Sequence, residues 1–423
     1  MEMIGNFIIY IIMICAVLGA LAAIKSPEQG LGKEFMSGMH TVGQIFVPAA
    51  GIMASIPYLT IFISKFISPI FFAIGADPAT AATTILASDM GGYQLADALK
   101  TSLEGWVMAL IVGFMSGATI VFSVPMGLAM LDKRDHKYMA LGIMSGVLTI
   151  PIGAFISSSL IVLFDTNIRD VISTTAESNY EFTISYLQII LNLLPLLIFV
   201  VIIAVGLKLV PNLMIAGFML FGRVMDAAIK LVLVFSIVEI FTGAFSTIFG
   251  AWGFDPIMAD EKDQFRALET AGYIGIMLAG AFPMVYLIRK YAAGFLEKVG
   301  RKMGLSSVGS AGILATMANI LAMFSLVRSM PPKDKVINIA FGVTSAFLLG
   351  DHLSFTANFQ PTIILPVMIG KFSAGIIAII IAYYLSVPTA LKLEIEDRKA
   401  GIIGENEYLE INKDEELEDK LAN

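Results

Sequence analysis

A polytopic, all-α bundle of transmembrane helices is the fold class the sequence predicts, and three observations predict it. Hydrophobic residues make up 57% of the 423 residues and charged ones only 14%, against roughly 25% charged in soluble domains. The apolar residues fall in long runs, many near the about 20 residues a helix needs to cross hydrocarbon. The cations collect in a few short loops between those runs, the pattern that orients membrane helices. A soluble core of this length could not hide so much apolar surface, so lipid must cover part of it. Roughly 10–11 spans fit the chain at about 20 residues each plus a short loop.

The runs come in order. Residues 4–24 form the first; they open with Glu2 and no Lys or Arg, so they read as a retained helix rather than a cleaved signal. Residues 35–64 follow, interrupted by Pro48 and Pro57, and then 66–86, weaker and broken. Next come 106–131, 138–164, 184–207, 229–249, 271–288, 308–327, 336–350 and 363–387. Residues 210–222 are too short to span and should lie at the interface or extend the next helix. Trp106 and Trp252 fall near span ends, where interface anchors belong.

Residues 1–390 therefore read as a membrane domain. Residues 391–423 read as an acidic, disordered tail, with Glu394, Glu396, Asp397, Glu405, Glu407, Glu410 and the run Asp414 to Asp419, since such charge runs stay solvated. The loop 132–137 and the stretch 289–302 are basic, whereas 165–181 and 251–264 are acidic or polar, which puts the first two in the cytoplasm and the others outside. Counting works only if 66–100 dips into the membrane and returns on the same side. Lys333 and Lys335 raise the same difficulty in the second half. Two broken or re-entrant segments are expected, and the count leads to a cytoplasmic C-terminus.

The two awkward places resemble each other. A helix with Gly43, Ala49, Ala50, Gly51 and Ala54 leads to Leu86-Ala87-Ser88-Asp89-Met90-Gly91-Gly92-Tyr93-Gln94-Leu95-Ala96. A helix with Gly309, Ala311, Gly312, Ala315 and Ala318 leads to Leu348-Leu349-Gly350-Asp351-His352-Leu353-Ser354-Phe355-Thr356-Ala357-Asn358. Each has a small residue, Asp, and an aromatic four positions on. An internal two-fold repeat over 1–131 and 267–390 is expected, with the halves parallel on this loop count, as many transporters are built from two halves.

Asp89 and Asp351 are the candidate functional centre. An Asp at a membrane helix centre costs roughly 2.5–3.5 kcal/mol, so it needs a partner or a wet cavity, and irregular backbone at that depth lines protein or water. A carboxylate can hold an ammonium, Tyr93 and Phe355 offer cation–π faces, and Gln94, Ser354 and Asn358 can bond a hydroxyl. Thr356, Gln360, Gln44, Asn319, Glu239 and His352 are further candidates, the last as a proton carrier. This chemistry suits a small amine that also carries a hydroxyl. The partners allowed are that small molecule, membrane lipid and a second copy of the chain as a homo-oligomer. No basic patch suggests nucleic acid. No metal or cofactor is expected: Cys15 is alone, and His40, His136 and His352 lack ligand spacing.

With those stretches in hand, 349–361 and 87–96 resemble the EutH-type ethanolamine transporters of bacterial ethanolamine-utilisation operons. The resemblance covers about residues 1–390 and leaves the acidic tail outside. It implies a multi-pass protein of the bacterial inner membrane that admits ethanolamine ahead of its breakdown in the cytoplasm, with no catalytic residues. An ion- or proton-coupled carrier of another small amine is the alternative. An intramembrane aspartyl protease would need Tyr-Asp and Gly-x-Gly-Asp; Ser88-Asp89 and Leu348-Leu349-Gly350-Asp351 match neither.

Overall fold

The computed structural model describes residues 2–404 and 407–408. They are helical almost throughout, and the one sheet among them is a two-residue antiparallel pair, Asn167–Ile168 with Tyr180–Glu181, in a loop. Six helices are long and apolar enough to cross a membrane: Glu2–Lys25, Leu103–Met130, Lys133–Leu163, Tyr186–Leu209, Ala267–Ala292 and Pro361–Leu385. A seventh crossing forms if Gly30–Ala54 and Ile56–Phe66 are taken together, with a bend of 57°. The protein is a multi-pass membrane protein.

The bend falls at Ser55, just before Pro57, which sits in the first turn of the following helix; a proline is accommodated there because it has no N–H to lose. Pro48 is carried inside the helix instead. Residues 210–222 do extend the next helix, as one alternative held: Pro211–Thr242 is a single element of 32 residues, about 48 Å long at 1.5 Å per residue. Trp106 is not an interface anchor. It is wholly buried, stacked on Tyr93 at 4.4 Å, and its indole N–H donates to the Tyr93 carbonyl.

Two segments expected to be awkward are hairpins. In hairpin I, residues 77–102, the helices Ala79–Ile85 and Gly92–Leu99 lie to either side of a tip at Ser88–Met90. Its ends meet, because Asp77 at the start accepts hydrogen bonds from the backbone and hydroxyls of Thr101 and Ser102 at the finish. The same hydroxyl of Ser102 caps the next helix at Gly105. Gly91 has φ +97°, a left-handed conformation that glycine adopts at no steric cost, and that reverses the chain at the tip. Hairpin II, residues 306–330, is built from Ser307–Ala318 and Ile320–Val327 with Asn319 between them. Its start is tied to the following helix, where Asp334 accepts from the Ser306 N–H and hydroxyl at 2.8 and 2.6 Å. Segments 66–86 and 308–327, expected among the spans, are therefore broken into short helices rather than forming one long helix each.

The helices after each hairpin are irregular. Leu103–Met130 contains a π-helix at Gly113–Ser123, a rare form that gathers at functional sites. Pro332–Ser345 unwinds over 346–350 before Asp351–Phe359 resumes. Phe347 takes φ +58° there, and the freed N–H groups of Phe347 and Leu349 bond the carbonyls of Thr316 and Met317 in hairpin II. Irregular backbone is thus paired inside protein, as hydrocarbon demands. At the other end, the helix Val387–Lys399 carries the chain past residue 391; residues 409–423 of the acidic tail lie outside the described residues.

Candidate functional site

Hairpin I inserts its tip against the π-helix. The Ser88 hydroxyl donates to the Leu110 carbonyl at 2.9 Å, and Ser116 donates to Thr84 at 2.6 Å. A Cβ on Gly113 would meet Ser88 Oγ at 2.1 Å, and one on Gly117 would meet Leu86 O at 2.0 Å. Two glycines on one face of the π-helix therefore set how deeply Asp89 reaches. The tip also contacts the helix Asp351–Phe359. The two carboxylates singled out from sequence therefore sit on elements that touch.

They arrive there by different routes. Asp89 lies on the tip of hairpin I, while Asp351 starts the helix that resumes after the unwound stretch 346–350. The two motifs are alike in sequence but occupy different kinds of place. Asp89 is buried, and its Oδ1 has no hydrogen-bond partner. Asp351 keeps intermediate exposure.

Other groups around them are also unsatisfied. Gln94 donates weakly to Thr270 at 3.4 Å but its Oε1 has no partner; neither do Ser354 Oγ or His352 Nδ1. Most buried polar atoms in proteins are paired, so these open groups are free to meet a ligand. Behind them runs an aromatic wall: Tyr93 meets Phe355 edge-on at 5.5 Å, Phe114 meets Phe355 at 5.8 Å, and His352 lies 4.5 Å from Phe114. One face of Tyr93 is taken by Trp106.

The remaining candidates are engaged or distant. Gln360 donates to Tyr93 Oη at 3.0 Å and to the Arg169 carbonyl, and accepts from Arg169 N–H. Asn358 donates to the carbonyls of Tyr273 and Ser354, and Thr356 to that of His352. Arg169, from the loop with the small sheet, donates to the Asn358 carbonyl at 2.6 Å and closes that end of the site. Asn319 caps Ile320–Val327 through Leu321 N–H. Glu239 accepts from Phe245 and Ser246 at the start of Ala244–Phe249, a capping role. Gln44 is exposed on its helix.

The sequence matches the family described as "Ethanolamine utilisation protein, EutH" over residues 4–385. The chain belongs to the EutH family. A protein of Listeria monocytogenes named "Probable ethanolamine permease EutH" is 36% identical over 90% of this chain and 94% of its own length. A protein of the same name in Escherichia coli is 34% identical over 93% of this chain and 99% of its own. No solved structure matches. EutH relatives are named as permeases, transporters rather than enzymes, in line with the failed protease signatures.

Against this EutH background, sequence reading missed one ionisable residue. Lys371 lies in the apolar helix Ile364–Leu385, is wholly inaccessible, and donates to the Phe114 carbonyl in the π-helix at 2.7 Å. A signal was present, since a charged residue inside an apolar run is a functional candidate by default. A cleft of about 540 Å³ lies elsewhere; it is lined by Asp77, Thr101, Ser102, Glu104 and Gln188 and includes neither Asp89 nor Asp351. Asp77 is already satisfied there, so the cleft fits an approach rather than a binding centre.

Proposed function

We propose that this chain carries ethanolamine across the bacterial cytoplasmic membrane, and that Asp89 and Asp351 hold its ammonium while Gln94 and Ser354 take its hydroxyl. The observation that carries this reading is the packing of the tip that holds Asp89 on the helix that begins at Asp351, elements whose buried Asp89, Ser354 and His352 side chains keep atoms without partners. A protonated amine leaving water loses strong hydration and needs a negative partner in a low-dielectric site. The names of the relatives supply the choice of amine.

The path of the chain supports alternating access. With 211–242 and 332–359 added to the seven crossings, the chain makes nine passes and two hairpins. The basic loops then place hairpin I on the outer side, hairpin II on the inner side and the C-terminus in the cytoplasm. Helix, hairpin, irregular crossing and further crossing recur over 30–163 and 267–385 in opposite orientation. This favours inverted halves over the parallel arrangement expected from loop counting, and pairs Asp89 with the tip at Asn319 rather than with Asp351. A reporter fused after Asn423 that is active only outside the cell contradicts this path.

The functional test is uptake of labelled ethanolamine into proteoliposomes, with and without a pH gradient, for wild type and Asp351→Asn. Losing a charge-assisted hydrogen bond costs about 1.5–3 kcal/mol, roughly ten- to a hundredfold in affinity. Asp351→Asn should lose uptake by that factor at unchanged protein in the membrane. Near-equal rates across pH defeat the carboxylate–ammonium reading and favour passage of the neutral amine.

A further inference from the structure

We propose that Lys371 is a fixed internal counter-charge that restricts the Asp89–Asp351 site to one monocation, so that the protein selects a mono-ammonium alcohol against a diammonium of the same size. This rests on the reading that the two carboxylates hold the substrate's ammonium.

Lys371 is placed at the site by geometry. Its Nζ donates to Phe114 O. The neighbouring Gly113 packs on Ser88 Oγ, and the Phe114 ring packs on His352. One π-helical turn thus joins Lys371 to the residues beside both carboxylates. Its own helix is held in register by Ser345, whose hydroxyl donates to the Lys371 carbonyl at 3.0 Å. The ammonium bonds a carbonyl rather than a carboxylate, an arrangement that does not neutralise it. An isolated charge in such a place is costly. A role in the charge balance of the site accounts for its presence.

The balance follows directly. Two carboxylates and one ammonium leave a single negative charge, which one ethanolammonium neutralises. His352 and Tyr93 keep that count as neutral side chains, and the Arg169 cation lies at the far end, committed to the carbonyls of Ala176, Ser173 and Asn358. A dication would leave the occupied site positive, in surroundings where an unbalanced charge acts strongly. Replacing Lys371 by methionine leaves two negative charges. The dication then becomes the balanced occupant, and the monocation leaves one charge uncovered. Discrimination here is by repulsion of the wrong ligand, one of the two routes to specificity.

Ethylenediamine is the probe, because it replaces the hydroxyl of ethanolamine with a second amine at nearly equal size. In mildly acidic buffer, initial uptake of the two labelled amines is compared in proteoliposomes of the full chain. Wild type should prefer ethanolamine by about tenfold or more. Lys371→Met should shift that ratio toward the diamine by at least about tenfold, and Lys371→Arg should leave it near wild type. Lys371→Met combined with Asp351→Asn restores one net negative charge and should swing the ratio back. A wild type that takes ethylenediamine as readily as ethanolamine overturns the proposal without any variant, so a Lys371→Met protein that fails to reach the membrane does not rescue it. An unchanged ratio in Lys371→Met also overturns it. If Asp351→Asn abolishes uptake while the ratio ignores Lys371, this inference fails alone; if Asp351→Asn is harmless, the underlying reading fails.

Discussion

The base and the tip of hairpin I each present a buried carboxylate, and the two are treated in opposite ways. At the base, Asp77 accepts from the N–H groups of Ala79, Thr101 and Ser102 and from two hydroxyls. At the tip, Asp89 Oδ1 accepts nothing. Fully satisfied, a buried carboxylate fixes backbone; left open, it is a strain that a ligand can relieve. The contrast separates structural from functional acids within one element. It extends to the face that carries the basic loop 132–137, where Lys335 is paired with Asp135 at 2.6 Å and Lys137 and Tyr138 both bond Asp397.

Asp77→Ala should break the base most severely. It strands several buried donors, each worth about 1–3 kcal/mol when left unpaired, so a loss of about 3 kcal/mol or more is expected. Thermal unfolding in detergent and the amount of protein in the membrane both report it. An Asp77→Ala protein as stable as wild type would mean the ends of hairpin I are held by something else. Asp89→Asn should do the reverse: unfolding unchanged within about 1 kcal/mol, and uptake down by roughly ten- to a hundredfold. A destabilised Asp89→Asn protein would erase the distinction between tip and base.

Much of this arrangement is legible in the residues. Asp89 and Asp351 stand out because glycine and polar residues interrupt apolar runs around them, and the misfit of the loop charges marks 66–100 as a broken segment, whereas 308–327 reads as one span and is instead two short helices. What stays hidden depends on contacts distant in sequence. Lys371 looks like one cation in an apolar run until Phe114, 257 residues away, is placed beside it. Tyr93 reads as an open aromatic face, but Trp106 covers it. Gln360 reads as a hydroxyl binder, yet its amide is consumed by Tyr93 and Arg169. The likeness of the two Asp motifs is real as a string, although one lies on a hairpin tip and the other on an unwound crossing helix, because sequence similarity over ten residues does not fix which way the chain turns.

Smaller effects sharpen the comparison. Gln94→Ala and Ser354→Ala each remove one neutral hydrogen-bonding group from the site, so each should weaken apparent affinity by a few-fold to about tenfold, in line with about 0.5–1.5 kcal/mol. Methylammonium, which has no hydroxyl, should not register either change; equal losses for both amines would assign these residues to packing. The smallest effect belongs to the face that carries the basic loop 132–137. The Arg134 guanidinium, donating to Glu407 at 2.6 Å, holds that carboxyl down to about 2. A carboxyl lowered by folding contributes stability above its ordinary range and loses it as pH falls through the folded value. Docking of Glu407 on Arg134 should therefore loosen between about pH 4.5 and 2, and only slightly, since the pair is partly exposed and screened. Proteolysis next to Glu407 across the window measures it, and Arg134→Gln should remove the dependence.

The central claim is that the open carboxylates bind the substrate's ammonium. An experimental structure at saturating ethanolamine tests it most directly. The account predicts the amine within hydrogen-bonding distance of Asp89 or Asp351, with the hydroxyl turned to Gln94 or Ser354. Ligand density confined to the cleft at Asp77 and Glu104, with the Asp89 carboxylate still unpartnered, would contradict it.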